Sequence, residues 1–285
     1  MPDEDNAVVS FLVPYYNHNA YINECLDSVL SDSYPNKEII IIDDGSTEPA
    51  MNLKVWLGEH EHDIRIVYKK RANKGVTKTL NELIMLARGS YLVLLASDDY
   101  LINNTVSERV KILKENPDKL FLLSDAEVID EYGEPIVDSN LFGLHHRQKG
   151  NYQSNNALML EIILHWHVAG AVLMLNREIF DVIGFYDETI IAEDWDFYLR
   201  AVAKKLVLFH DKKVSAYRYH DASTCRKAEY QDRLNSDFCY VAKKNVKEFP
   251  FPFNLLLIFV SLGKDKAFLP YFRGRMGWLK KVIGK

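Results

Sequence analysis

Apolar and polar positions along the first hundred residues form blocks that predict strands and helices in turn. Short continuous apolar runs, typical of strands covered on both faces, alternate with segments whose apolar residues recur at helical spacing. This order predicts an α/β fold with a mostly parallel, doubly wound sheet flanked by helices. The predicted strands cover 8–13, 39–42, 64–68 and 91–96, and the predicted helices cover 22–30 and 76–87.

The pattern after residue 100 is less regular and predicts a mixed region followed by a helical C-terminal tail. Apolar spacing predicts a helix over 106–113 and a strand over 120–129 that runs into a turn. Between 141 and 156 the periodicity is lost, which predicts a mobile loop. A strand over 170–175 and a helix beginning at Glu193 follow.

Charge is distributed unevenly along the chain. The net charge of −5 argues against a general nucleic-acid-binding protein, because such proteins need a basic surface. Residues 264–285 carry seven basic side chains and one acidic one, interleaved with aromatic and aliphatic residues. This segment is expected either to lie on an anionic membrane surface or to pack as a terminal helix.

The cysteine content and the chain's N-terminal residues predict a cytoplasmic protein. The three cysteines have neither disulfide-framework nor zinc-ligand spacing, which fits a reducing compartment. Residues 1–6 do not resemble a secretory signal, and no apolar run approaches the roughly 20 residues that span a bilayer. Together with the basic tail, this predicts a location in the cytoplasm or at the inner face of the membrane.

Two pairs of adjacent carboxylates follow apolar strands. Asp43 and Asp44 come after an all-isoleucine run, and Asp98 and Asp99 come after the strand predicted at 91–96. Carboxylates at the carboxyl ends of buried strands need hydrogen bonds or a cation, and such strand ends are where open α/β sheets bind ligands. The alternative is structural: the first pair caps a turn with Gly45, and Asp98 caps a helix.

Five segments, in their order and spacing, resemble glycosyltransferase family 2. The resemblance covers about residues 8–225 and implies a GT-A fold, with a nucleotide-sugar-binding half at 1–116 and an acceptor-side half at 117–225. A helical extension at 226–285 would follow. The segments are Val13-Pro14-Tyr15-Tyr16-Asn17, Asp43-Asp44-Gly45-Ser46, Asn73-Lys74-Gly75, Gly89-Ser90-Tyr91 with Ala96-Ser97-Asp98-Asp99, and Ala192-Glu193-Asp194-Trp195-Asp196.

The resemblance implies an inverting, metal-dependent enzyme that moves a sugar from a nucleoside diphosphate sugar, with UDP favoured, to a hydroxyl. The acceptor would be a saccharide or a lipid-linked molecule in cell-surface polysaccharide synthesis. Asp99 would bind Mn²⁺ or Mg²⁺, with His220 as a further metal-side residue, and Ser97 stands where the strict DxD motif has its first acid. The nucleotide would contact Pro14, Tyr16, Asp44, Asn73, Gly75 and Asp98.

The same resemblance makes Asp194 the general base that takes the proton of the acceptor hydroxyl. Glu193 and Trp195 would lie on the acceptor side, and the helix dipole is expected to keep Asp194 ionised. Asp196 is expected to pair with Arg200 one turn further on. Without the family order, acidic residues here would only favour a helix N-terminus.

Two rival functions remain. A catalytically inactive nucleotide-sugar-binding or scaffold protein would keep the same fold. A sugar-nucleotide-synthesising enzyme would need a glycine-rich basic loop after the first strand, where this chain has Pro14-Tyr15-Tyr16-Asn17.

Overall fold

The computed structural model describes residues 7–60, 62–166, 170–220 and 231–262. The chain forms two compact units, each assembled from separated segments. The domain boundary expected at residue 225 lies outside the described residues. The first unit comprises Met1–His145, Val168–Gly184 and Leu208–Tyr219, and the second comprises His146–His167, Phe185–Val207 and His220–Lys285.

The first unit is built on one sheet, in which the described residues form nine strands in the order β3-β2-β1-β4-β8-β6-β9-β5, with β7 paired to β6. β1 pairs in parallel with both β2 and β4, and β2 pairs in parallel with β3. β8 is antiparallel to β4 and β6, so the sheet is parallel in its N-terminal part and mixed beyond it. The strands are β1 Val9–Tyr15, β2 Lys37–Asp43, β3 Arg65–Lys70, β4 Tyr91–Leu94, β5 Tyr100–Leu101, β6 Phe121–Ile129, β7 Pro135–Val137, β8 Leu173–Asn176 and β9 Val207–Arg218.

Helices cover both faces of the parallel strands, which explains why those strands are apolar throughout. On one face, alternate residues of β1, including Phe11 and Val13, share a buried core with Leu26 and Trp56. On the other face, α3 contacts β1 and β2. The helices of this unit are α1 Ile22–Ser31, α2 Met51–Glu59, α3 Val76–Leu86, α4 Val106–Glu115 and α6 Ile179–Ile183.

The second unit is helical. Two helix pairs pack together within it, α5 with α7 and α8 with α9. Tyr186 stacks on Phe197 with ring centroids 4.4 Å apart, which joins the segment before α7 to that helix. Its helices are α5 Asn155–His165, α7 Glu193–Ala203, α8 Gln231–Asn245 and α9 Phe253–Leu262.

The loop expected at 141–156 contains regular structure that the apolar pattern does not signal. A π-helical turn covers Asn140–Leu144, a 3-10 turn covers Lys149–Tyr152, and α5 begins at Asn155. A tertiary contact stabilises the first turn, because the buried Asp125 carboxylate accepts the N–H of Leu141 at 3.0 Å. Among the described helices, none is both long and apolar enough to cross a membrane.

Candidate active site

Asp44 holds a loop against the end of β2. Its carboxylate accepts the backbone N–H groups of Lys74 at 2.8 Å and Gly75 at 2.9 Å, and it is also paired with Arg71. A carboxylate has about four acceptor positions, so these three donors leave about one. Asp44 is thus a carboxylate fixed at the strand end with room for one further donor.

Asp43 has a structural role. Its carboxylate accepts the N–H of Ser46 at 2.7 Å and lies 3.2 Å from the Lys70 ammonium. Burial opposes ionisation, but these hydrogen bonds outweigh it and lower the pKa of Asp43. The turn-capping alternative is therefore confirmed for Asp43.

Gly45 lets two loops approach each other closely. Its φ is +79°, and a Cβ at this position would lie 2.5 Å from the backbone N of Asn73. On the other side, the Asn17 side chain accepts the N–H groups of Thr47 and Glu48 at 2.9 and 3.1 Å. The loops after β1, β2 and β3 therefore converge beside Asp44.

Four other residues predicted to contact the nucleotide lie near the end of β1 or in the loop between β3 and α3: Pro14, Tyr16, Asn73 and Gly75. Pro14 is half-buried near the end of β1, and Tyr16 is 42% exposed, which leaves its ring accessible. Asn73 is exposed and accepts the Gly75 N–H at 3.2 Å. Gly75 directly precedes α3 and donates its N–H to Asp44 and Asn73, and its contact with the nucleotide stays a prediction.

Asp98 and Asp99 follow β4. Asp99 is 3% exposed, and its Oδ1 accepts the backbone N–H of Arg218 at 2.9 Å. Burial and the neighbouring Asp98 raise the pKa of Asp99 well above its ordinary value. A cation at this pair would offset both effects, because it stabilises the ionised carboxylates.

Arg218 fixes the loop that carries this acidic pair, a role that the sequence analysis missed. Its guanidinium is buried and donates to the backbone carbonyl of Asp98 at 2.9 Å and to those of Asp130 and Glu131 at 3.2 Å. It also pairs with Glu24. The only sequence signal was a basic residue within an otherwise uncharged strand end, Tyr217-Arg218-Tyr219.

His18 is a second residue of this site that the sequence did not single out. Its Nδ1 lies 3.7 Å from Asp98 Oδ1 and 2.9 Å from Ser97 Oγ. Two ligand atoms at about 2.1 Å from one Mg²⁺ ion lie at most about 4.2 Å apart, so His18 and Asp98 fit a shared cation. Imidazole and carboxylate donors with the adjacent Asp99 suit Mn²⁺ as well as Mg²⁺. His220 is buried, and its part in a metal site stays a prediction.

The second unit holds the predicted catalytic residue at the start of α7. Asp194 is half-buried, and its Oδ1 accepts the N–H of Trp195 at 2.7 Å. Burial raises its pKa to about 7, against an ordinary 3.8. The helix dipole was expected to keep Asp194 ionised, but burial raises its pKa so far that the carboxyl group titrates near neutral pH.

Glu193 lies beside Asp194 and is 7% exposed. Its Oε2 is a buried atom that has no hydrogen-bond partner among the residues the structure describes. Burial and the adjacent Asp194 raise the pKa of Glu193 well above its ordinary value. The two adjacent carboxyl groups thus form a pair in which the pKa of each is raised, chiefly by burial.

Trp195 and Asp196 face the interior of the second unit. The Trp195 indole N–H donates to the Ile162 carbonyl at 2.9 Å, and the residue is 3% exposed. This position argues against the predicted contact of Trp195 with an acceptor. The predicted pair of Asp196 and Arg200 is confirmed, with 2.9 Å between Oδ2 and Nε.

Comparison with known proteins shows which family the chain belongs to. Residues 10–184 match the family model described as Glycosyl transferase family 2. An uncharacterized glycosyltransferase of Rickettsia prowazekii (strain Madrid E) is 27% identical over 96% of this chain and 82% of its own. Glycosyltransferase GlyG of Streptococcus pneumoniae serotype 4 is 22% identical over 85% of this chain and 81% of its own.

Solved structures share the fold at low sequence identity. S. aureus TarS 1-349 in complex with UDP-GlcNAc has a TM-score of 0.69 and 17% identity, covering 96% of this chain and 78% of that one. The mannosyltransferase PcManGT of Pyrobaculum calidifontis, with GDP-Man and Mn²⁺, has a TM-score of 0.63 and 17% identity, covering 99% and 77%. The protein therefore has the GT-A fold and belongs to glycosyltransferase family 2.

Proposed function

We propose that this protein is an inverting, metal-dependent glycosyltransferase that uses a nucleoside diphosphate sugar, with UDP favoured. The observation that carries the proposal is the position of Asp44 and the Asp98-Asp99 pair. They follow β2 and β4, the two strands that pair in parallel with β1. Carboxyl ends of adjacent parallel strands form the ligand crevice of open α/β sheets.

Asp44 is the proposed base-reading residue. Its remaining acceptor position suits the single imide N–H of uracil, and the exposed Tyr16 ring is available for stacking against the base. The TarS structures with UDP and UDP-GlcNAc are compatible with a UDP-sugar donor. The GDP-Man bound to the mannosyltransferase makes guanine the competing base.

Asp98, Asp99 and His18 are the proposed metal-holding residues. A bound Mn²⁺ or Mg²⁺ ion would neutralise the diphosphate as it leaves. The chain's own part is to keep these ligands in place, through the Arg218 contacts to the backbone of Asp98 and to the Asp99 carboxylate. The Mn²⁺ in the mannosyltransferase neighbour supports a divalent ion.

Asp194 is the proposed general base. Its pKa of about 7 makes it a better proton acceptor than an ordinary carboxylate while leaving a substantial ionised fraction at neutral pH. Direct displacement on the face opposite the diphosphate inverts the anomeric carbon. Glu193 would orient the acceptor hydroxyl next to the Asp194 carboxylate.

The proposed acceptor is a saccharide or lipid-linked hydroxyl in cell-surface polysaccharide synthesis. Contact with the inner face of a membrane would involve residues 264–285, which lie outside the described residues. Their basic charge and an apolar surface on the preceding α9 support this contact. The exposed apolar side chains of α9 are Leu255, Ile258, Phe259 and Leu262.

Thermal denaturation with UDP, GDP, dTDP or CMP, each with and without Mn²⁺, tests the donor part of the proposal. A ligand that binds only the native state raises the melting temperature, so UDP with Mn²⁺ should give the largest increase.

The inactive-protein alternative requires a separate test. Asp194→Asn should retain UDP binding and lose transfer by orders of magnitude, with Asp181→Asn on the surface as the matched control. Wild-type protein that binds UDP but transfers no sugar to any hydroxyl acceptor would favour the alternative.

A further inference from the structure

Helix α8 lies beyond the region that matches the family, yet it contacts the segment that leads into the catalytic residue. The family match ends at residue 184, and α8 covers Gln231–Asn245. Side chains from one face of α8 bind both the backbone before α7 and the buried acid in its first turn. These contacts lie within the second unit.

Asp237 holds the backbone just before Asp194. Its Oδ2 accepts the N–H of Ile191 at 2.6 Å, three residues before the proposed base. Asp237 is 9% exposed, so this is a largely desolvated, charge-assisted hydrogen bond. It fixes the chain direction at the point where α7 begins.

Lys244 and Asn245 hold the other side of the same segment. The Lys244 ammonium lies 2.8 Å from Asp187 Oδ2 and 3.1 Å from Asp196 Oδ1. Asn245 donates to Asp196 Oδ1 at 3.0 Å. Asp196 is fully buried, and a buried carboxylate that loses a partner is strongly destabilised.

Lys244 anchors both ends of the 187–196 segment. Burial opposes ionisation of Asp187, but hydrogen bonds from Lys244 and Thr189 lower its pKa to about 2. Asp187 therefore stays ionised, and Lys244 joins two carboxylates that lie nine residues apart in sequence. Asp194 lies between these two anchored acids.

We propose that α8 is the positioning element of the transferase reaction, with Asp237 and Lys244 acting through the 187–196 segment to place the Asp194 carboxylate. The inference rests on the proposed function of Asp194. Neither α8 residue is assigned a contact with substrate. A displacement of about 1 Å in a reacting group can lower a rate about 100-fold, which is the scale this role requires.

Asp237 also acts through its charge on Glu193, the neighbour of Asp194. Its negative charge contributes, after burial and Asp194, to the raised pKa of Glu193, the partner of Asp194. Removing that charge should favour ionisation of the carboxyl pair. Among the described residues, Tyr186, Tyr198 and Asp237 interact electrostatically with this pair, and Arg200 interacts with Tyr186.

Steady-state kinetics of full-length variants test the proposal. Lys244→Met should lower kcat about 10- to 100-fold while the KM for the UDP-sugar and the Kd for UDP with Mn²⁺ stay unchanged. Lys244→Arg should recover most of kcat, and the exposed neighbour Lys243→Met is the matched control. Asp237→Asn keeps the acceptor oxygen and removes the charge, so the acid limb of its pH–kcat profile should lie at lower pH than in wild type.

Two kinetic results would overturn the inference. One is a Lys244→Met kcat within about threefold of the Lys243→Met control. The other is a parallel loss of kcat, UDP affinity and melting temperature, because that pattern indicates general unfolding rather than positioning. Both results concern variants only, so wild-type UDP binding and transfer, on which the proposed function depends, would still stand.

Deuterium exchange of the peptide covering 187–196 decides the question even if the wild type transfers no sugar, an outcome that would refute the proposed function. Asp237→Ala removes the acceptor of the Ile191 N–H and should speed exchange in this peptide relative to wild type and Lys243→Met. Unchanged exchange overturns the positioning role.

Discussion

The pH dependence of transfer depends on the environment of Asp194. With a pKa of about 7, the carboxylate is about 10% ionised at pH 6 and about 90% ionised at pH 8. A general base acts only when ionised, so kcat should rise about ninefold between these pH values. A carboxylate at its ordinary 3.8 would be almost fully ionised at both, and kcat would be flat.

The assay is initial-rate transfer from pH 5.5 to 9 with saturating UDP-sugar, acceptor and Mn²⁺, so that kcat reports the bound enzyme. Because Glu193 and Asp194 interact, the observed midpoint belongs to the pair. Asp194→Asn should abolish the pH-dependent component, whereas Asp181→Asn should leave the profile unchanged. A wild-type kcat that varies less than twofold from pH 6 to 8 would refute the assignment.

The same shift predicts an effect on stability with the opposite sign. The folded-state pKa of Asp194 is raised, so its contribution to stability is full below about pH 4 and is lost as the pH rises through about 7. Asp194→Asn cannot ionise and should therefore melt at a higher temperature than wild type at pH 8, with the difference vanishing near pH 4. A lower melting temperature at pH 8 would contradict the burial argument.

Three further perturbations test other parts of the structure. Asp99→Asn should remove the Mn²⁺-dependent part of the thermal stabilisation by UDP; if the Mn²⁺ effect persists, Asp99 is not a ligand. Gly45→Ala places a Cβ 2.5 Å from the Asn73 N at a φ of +79°, so it should destabilise the protein by about 1–3 kcal/mol and weaken UDP binding in calorimetry. Wild-type affinity would show that the two loops need not approach closely. Deleting residues 264–285 should reduce sedimentation with phosphatidylglycerol vesicles, and undiminished binding would exclude this segment as the membrane contact.

Local chemistry explains which elements could be predicted. Apolar runs and helical spacing gave β1, β2, β3, β4, α1, α3, α4, β6 and α7, because those elements bury one face or both in a core. The pattern missed α2, α5 and β9. In α5 every residue from Leu158 to Leu164 is buried, so an amphipathic period is absent.

For the two acidic pairs, the sequence predicted the position of the carboxylates but not their partners. Their position after apolar strands predicted that they would lie at strand ends, but not what each carboxylate binds. Asp43 became a turn cap because Ser46 and Lys70 reach it, whereas Asp44 received the Lys74 and Gly75 N–H groups from a loop 30 residues away. Partners so distant in sequence are brought together only by the parallel pairing of β1, β2 and β3.

The sequence by itself determined most of the strands and helices of the parallel part of the sheet, the family motifs and the residue types available for metal and proton chemistry. Tertiary structure decided which of them share a site and in what protonation state. Arg218 and His18 were found only because folding brings them to Asp98 from 120 and 80 residues away along the chain. Likewise, the pKa of Asp194 is raised chiefly because its surroundings exclude water. That exclusion results from packing between residues that are distant in the sequence, so the sequence alone does not reveal it.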